Sequence, residues 1–295
     1  MYINNNSMAS NVANNLTSHY SNLATSTQRL STGLRVNSAA DDAAGLAIRE
    51  LMRTDIKAWQ QGVRNANDAI SLIQTADGAL GIIDEKLTRM KELAEQASTG
   101  TYDSTQRLMI ESEYQAMASE ITRIANATDF NGIHLLNGNL SGDTHDGSTM
   151  TATGKMKVHF GTANDSAEDY YYIQIGTSTA SALGVGNETT AGRDGSTIST
   201  QQAAQKALVA ITNAVVSKDK IRAHLGALQN RLENTVSNLT TQAENLQAAE
   251  SRISDVDVAT EMTQFVRNQI LTQSSVAMLS QANSMPKMAM QLIQG

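Results

Sequence analysis

From Ile56 to Ala97 the apolar residues keep to one helical face without a proline. Val63, Ala66, Ile70, Ile73, Leu80, Ile83, Leu87, Met90, Ala94 and Ala97 step mostly by threes and fours. The spacing predicts a single amphipathic helix of roughly 40 residues, about 60 Å long. A compact chain of 295 residues would be only about 50 Å across, so the expected molecule is a rod. A stripe this long needs partner helices of similar length. Ser98 to Asp103, with Gly100, breaks the pattern and permits a chain reversal. Beyond it Ile110, Tyr114, Met117, Ile121 and Ile124 predict a second, antiparallel helix. A third runs through Leu208, Ile211, Val215, Ile221, Leu225, Leu228, Leu232, Val236, Leu239, Leu246 and Ile253, with Ser199 and Gln202 as its capping box.

The two ends carry narrower stripes. Val12, Leu16, Leu23 and Leu30 stand in a segment otherwise rich in Asn, Ser and Thr. So few apolar residues cannot offset an ordering cost of about 1–2 kcal/mol per residue. The segment is therefore either a surface helix on a neighbouring domain or a seam that awaits a partner. The matching band at the other end holds Met262, Phe265, Val266, Ile270, Val276, Leu279, Met285, Met288 and Leu292. Ser254 and Asp255 are its expected N-cap, and Pro286, the only proline, is expected to kink or fray its last turns.

Between Phe130 and Ser196 helical periodicity gives way to Gly, Asn, Thr, Ser and Asp. Lys155 to Phe160 alternates, as do Tyr171, Ile173 and Ile175, which predicts a β-hairpin; Asn131-Gly132 and Asn137-Gly138 mark turns. The expectation is a small surface appendage whose removal from Gly142 to Ser196 leaves the helical core intact. The fold class is thus mainly α: a long antiparallel helical rod or coiled-coil bundle built from N- and C-terminal segments, with a small hairpin-containing middle region.

Composition narrows the chemistry. Aromatic residues make up 4% of the chain, which suits helix packing better than a ring-lined ligand cavity. A net charge of -7 without a basic stripe argues against nucleic acid. Without cysteine there is no disulfide scaffold, thiolate metal site or cysteine nucleophile. The histidines His19, His134, His145, His159 and His224 show no ligand spacing, and no GxSxG, P-loop, GxGxxG or HExxH motif occurs. Two adjacent carboxylates, Asp41 and Asp42, lack the further oxygen ligands of a cation loop. The expectation is no enzyme, no cofactor, no metal and no membrane span.

Several motifs occur in order: RLSTGLRVNSAADDAAGLAI from Arg29, RNANDAISLIQTADGAL from Arg64, LTRMKELAEQ from Leu87, FNGIHLL from Phe130 and SRISDVDVATE from Ser251. Together they resemble bacterial flagellins at both ends of the chain. The resemblance implies this division: 1–34, N-terminal helix of an inner-tube domain; 35–55, a spoke connector; and 56–129, the N-terminal helices of an outer-tube rod domain. It continues with 130–197, a small β and loop region; 198–253, the C-terminal rod helix; and 254–295, the C-terminal inner-tube helix. It implies a structural subunit that polymerises into the flagellar filament for swimming. The subunit would be exported without a cleavable signal peptide and located in the extracellular filament. Its polymerisation seam would comprise Val12, Leu16, Leu23, Leu30, Met262, Phe265, Val266, Ile270, Leu279 and Leu292.

Partners implied by the resemblance are further copies of the chain, a flagellar export chaperone, and the filament cap and hook-junction proteins. A host Toll-like receptor is implied as well, with Arg89, Leu93 and Glu113 as the matching contact residues. Lys91 and Glu95 stand where the family more often has Arg and Val. The competing picture for the helical stripes is a cytoplasmic coiled-coil signalling or scaffold protein, which leaves the hairpin and the two terminal signatures without a reason. The competing picture for Arg89 and Leu93 is a solvated Arg beside an ordinary core Leu.

Overall fold

A computed structural model of the chain describes residues 6–148, 154–186 and 195–294; among these, the side chains of 289, 290 and 292–294 are outside the description. The helices are α1 (Ser7–Thr32), α2 (Ala43–Ser98), α3 (Ser104–Ala127), the single turn α4 (Ala180–Leu183), α5 (Gln201–Ser254) and α6 (Val258–Gln294). Two antiparallel hairpins, β1 (Asp129–Phe130) with β2 (Ile133–His134) and β3 (Met156–His159) with β4 (Tyr170–Ile173), lie between α3 and α4. The chain divides into two compact units, residues 57–243 and the two ends, 1–56 with 244–295.

The central unit has a continuous apolar core. Ala66, Ile73, Leu80, Ile83, Leu87, Met90 and Ala94 of α2, Tyr114 and Ile121 of α3, and Ala207, Ile211, Ala214 and Leu225 of α5 are all essentially inaccessible. Polar contacts set helix direction. Asp84 pairs with Lys218 and Asp77 with Arg222, so α2 and α5 run antiparallel. Arg107 of α3 reaches back to the carbonyls of Ala97 and Thr99, closing the reversal after α2. Asp103 and Gln106 form a capping box at the start of α3.

The middle segment differs from the expected appendage. Val158, Ile173, Ile175, Ala180, Leu183 and Val185 belong to the same buried cluster as the helices. The hairpin's inner side chains therefore fill space that the helices leave open, and removing 142–196 exposes core. Close approach makes this docking possible. A β-carbon on Gly62 of α2 would lie 2.1 Å from the Phe160 carbonyl oxygen, so only glycine lets the strand end sit there. Asn131 and Gly132 carry positive φ of 51° and 79°, the pairing a tight hairpin turn needs.

Element ends also differ from expectation at three points. The helix expected from Ile56 begins at Ala43, because Asp42 accepts the Gly45 N–H and the alanines that follow are strong helix formers. The α5 cap is Thr200, whose hydroxyl accepts the Ala203 N–H, and not Ser199. The α6 cap is Asp257, which accepts the N–H groups of Ala259 and Thr260; Ser254 and Asp255 instead belong to the chain crossing described below.

Candidate functional site

The terminal unit is built from α1 and α6, with the first turns of α2 and the last of α5. Gly33, with φ 72°, takes the left-handed conformation that ends α1. The chain then pairs with the α5–α6 junction: Arg35 N–H donates to Ser254 O, Val256 N–H donates to Gly33 O, and Leu34 bridges Asp255. This crossing starts an antiparallel pair. Arg29 of α1 lies 3.7 Å from Glu261 of α6, and at the far end Asn6 meets Ala282.

That far contact explains why α6 continues through Pro286 to Gln294. A proline in a helix leaves the carbonyl four residues earlier without its N–H partner. Here the carbonyl is that of Ala282, and the Asn6 amide donates to it at 2.8 Å. The same Asn6 caps α1 through its side-chain oxygen and the Ala9 N–H. One side chain thus satisfies orphan groups on both helices, and the expected fraying does not occur.

The pair does not cover its own apolar residues. Among the described residues of this unit, Val36, Ile56 and Ala282 are the fully buried apolar side chains; Ser26, Arg49, Ser254, Glu261 and Thr272 are buried beside them. Val12, Leu16, Leu23, Leu30, Phe265 and Leu279 are partly buried. Phe265 and Leu279 lie on the α6 side that carries Glu261, Thr272 and Ala282, all three buried. Met262, Val266 and Ile270 lie elsewhere: they are 44%, 44% and 59% exposed. With Val258 they form a row of step four, which winds gradually around a helix of 3.6 residues per turn. The seam residues therefore separate into two sides of α6. Leu292 lies in α6, with its side chain outside the described ones. Val276, part of the α6 stripe in sequence, is exposed as well, and Met8 and Tyr20 of α1 and Met278 of α6 are further exposed apolar residues that the terminal stripes did not include.

The segment joining α1 to α2 is held by local polar contacts. Asp41 accepts the N–H groups of Asn37 and Ser38 and the Ser38 hydroxyl; the Ser38 backbone bond is the main cause of a carboxyl pKa below the ordinary value. Arg49, buried, donates to the Val36 carbonyl at 2.7 Å and to Glu50. No sequence pattern marks Arg49, because its main partner is a backbone carbonyl.

On the central unit, Arg89 donates through Nε and Nη2 to Glu113 of α3 and through Nη1 to Glu92. Arg89 and Glu113 are thus brought together and exposed. Leu93 is not part of that surface. It is 1% exposed and sits in the core cluster, since a step of four from Arg89 turns past the helix edge.

Comparison with known proteins finds matches toward both ends of the chain. The family model for the bacterial flagellin N-terminal helical region matches residues 3–141, and that for the C-terminal helical region matches residues 208–293. Flagellin of Bacillus subtilis (strain 168) is 40% identical, covering 99% of this chain and 100% of its own. Flagellar filament core protein flaB2 of Brachyspira hyodysenteriae is 39% identical over the whole of both chains. A solved structure from Vibrio parahaemolyticus, a candidate flagellar hook-associated protein, superposes with a TM-score of 0.55 at 14% identity, over 73% of this chain and 100% of that one, a likeness of fold alone.

Proposed function

The chain belongs to the bacterial flagellin family, and from that membership we propose that the uncovered faces of α1 and α6 are the surfaces through which it polymerises. It is a structural subunit of the flagellar filament, in a family of structural proteins. The observation that supports the seam is the α6 row of Val258, Met262, Val266 and Ile270, exposed on a unit whose fully buried apolar set is only three residues among those described. A two-helix pair buries one side of each helix. The other side gains its burial against further copies, and contacts between unlike surfaces that do not close generate a helical tube. Ordering of the ends then accompanies association. Val12, Leu16, Leu23, Leu30, Phe265 and Leu279 join α1 to α6 in this scheme, while Met262, Val266 and Ile270 join subunits.

The division into inner-tube segments 1–34 and 254–295, a connector 35–55 and rod segments 56–129 and 198–253 belongs to the same proposal. So do export without a cleavable signal, an extracellular filament, and contact with an export chaperone, the cap and the hook junction. For a host Toll-like receptor, the supported surface is the Arg89–Glu113 pair, with Leu93 acting by supporting α2 from beneath. Among the described residues no helix is long and apolar enough to cross a membrane.

The test is truncation. Chains lacking 1–34 or 258–295 should remain soluble and helical, because the core of 57–243 is untouched, and should form no filaments from seeds. Filaments of normal length from either truncation would refute the seam.

A further inference from the structure

The outward face of the β3–β4 hairpin carries chemistry that lies outside the α1 and α6 faces proposed for assembly. Strand alternation places Lys157 and His159 of β3 with Tyr170 and Tyr172 of β4 on one face, and Val158, Tyr171 and Ile173 on the other. The second face is docked. Val158 and Ile173 are buried, Phe160 meets Tyr171 edge-on at 4.7 Å, and the Arg231 guanidinium of α5 stacks 3.6 Å from the Tyr171 ring.

The first face remains partly open at all four residues and is ordered by its own contacts. Lys157 Nζ sits 3.6 Å from the Tyr170 ring centre and Lys155 Nζ 4.4 Å from that of Tyr172. The two phenols meet edge to face at 5.4 Å. His159 stacks on Tyr170 at 6.0 Å and His145 tilts against Tyr172 at 5.8 Å. Of the nearby carboxylates, Asp143 accepts from Gln174, Asp146 from Ser148, Asp165 from the Ala167 N–H and buried Asp169 from the Asp165 N–H, while Glu168 is exposed in the turn before β4. Among the described residues no carboxylate pairs with Lys155 or Lys157; Lys157 bonds the neutral Asn164. In a chain of net charge -7 this is a local cationic, aromatic plate.

We propose that this face binds an acidic polysaccharide built of uronate sugars. The apolar C–H face of a pyranose ring suits an aromatic plate, carboxylates at intervals along the chain suit two lysines two residues apart, and phenol and imidazole groups suit sugar hydroxyls. A polyphosphate suits it less, since it offers no pyranose C–H surface to the tyrosine rings. The plate adjoins a groove of about 610 Å³ between β3, the β1–β2 turn and α2, where Asn65, Asp68, Asn131 and the edge of Lys157 and His159 face the space. That volume is in the range of small-ligand sites, but Asp68 and the apolar walls of Leu72, Phe130 and Ile133 do not suit a uronate, so the proposed ligand sits on the plate and not in the groove.

The experiment uses full-length monomer and fluorescein-labelled polygalacturonate, read by fluorescence polarisation at low and high salt. Unlabelled dextran and duplex DNA serve as competitors. Polygalacturonate should bind, and binding should weaken with salt. Dextran should not compete, and DNA should compete only weakly. The double variant Lys155→Gln/Lys157→Gln, with unchanged circular dichroism, should lose on the order of tenfold in affinity. Tyr170→Phe/Tyr172→Phe should lose less affinity than the lysine double variant, because the ring faces persist while the phenol hydroxyls that meet sugar hydroxyls do not; a larger loss would overturn the charge-led recognition. Unchanged affinity in the lysine double variant, or competition by dextran or DNA as strong as by unlabelled polygalacturonate, would overturn the proposal. Ile270→Asp, a monomer by the assembly argument, should bind as the wild type does, which separates this site from the seam.

Discussion

Ile270 separates assembly from folding. It is 59% exposed on α6, and an exposed substitution away from caps and cores changes monomer stability by about 0.5 kcal/mol or less. Complete burial of an isoleucine side chain contributes about 1.5–3 kcal/mol. With more than half of it still accessible, a subunit contact that covers it gains about 1–2 kcal/mol. At about 1.4 kcal/mol per tenfold, Ile270→Ala should raise the critical concentration for polymerisation roughly 5- to 30-fold. Ile270→Asp should abolish assembly, since the contact must then also desolvate a carboxylate. Monomer from depolymerised filaments, seeded and sedimented over a concentration series, measures the critical concentration; thermal melting followed by circular dichroism measures the fold. Assembly of Ile270→Asp at wild-type concentrations would refute the reasoning. So would a large fall in the melting temperature of Ile270→Ala, because the residue would then belong to the monomer's own core.

Further expectations rest on other parts of the fold. Leu93→Ala should cost about 2–5 kcal/mol in monomer stability, whereas Arg89→Ala should leave the melting curve nearly unchanged; a receptor reporter assay matched for folded protein should then lose signal mainly with Arg89→Ala. Gly62→Ala should destabilise the central unit, because its β-carbon meets the Phe160 carbonyl, while Gly78→Ala, with open space around it, should stabilise by about 0.5–1 kcal/mol through helix propensity; equal effects in urea denaturation would contradict the hairpin's docking. Asn6→Ala and Pro286→Ala should couple by about 1 kcal/mol in a double-mutant cycle, since replacing the proline restores an N–H to the Ala282 carbonyl and frees that carbonyl from Asn6. Hydrogen bonds from Arg222 hold the Asp77 carboxyl below its ordinary 3.8. Its contribution is therefore complete above that pH and is lost as the pH falls through the depressed value. Asp77→Asn should flatten the acid limb of stability below about pH 4, modestly because the pair is largely solvated.

Much of the architecture is legible along the chain because its signals are local. Helical periodicity, the Gly100 reversal, the left-handed stop at Gly33 and the alternation in β3 and β4 depend on neighbours a few residues away, and the structure places helices, turn and hairpin where those signals lie. The flagellin motifs are local as well, so they mark the family without reference to any tertiary contact. Tertiary structure alone decided which residues of one stripe face inward. Phe265 and Ile270 share an apolar band in sequence, yet one turns toward the buried side of α6 and the other to solvent, because α1 covers only one side. Leu93 and Arg89 divide in the same way at the edge of α2. The hairpin's place in the core rests on Gly62 admitting the Phe160 carbonyl, a contact between segments far apart in sequence that no periodicity encodes. Asn6 and Pro286 read separately as a cap and a break; the fold joins them, because an orphaned carbonyl can take its donor from any segment that packing brings within reach.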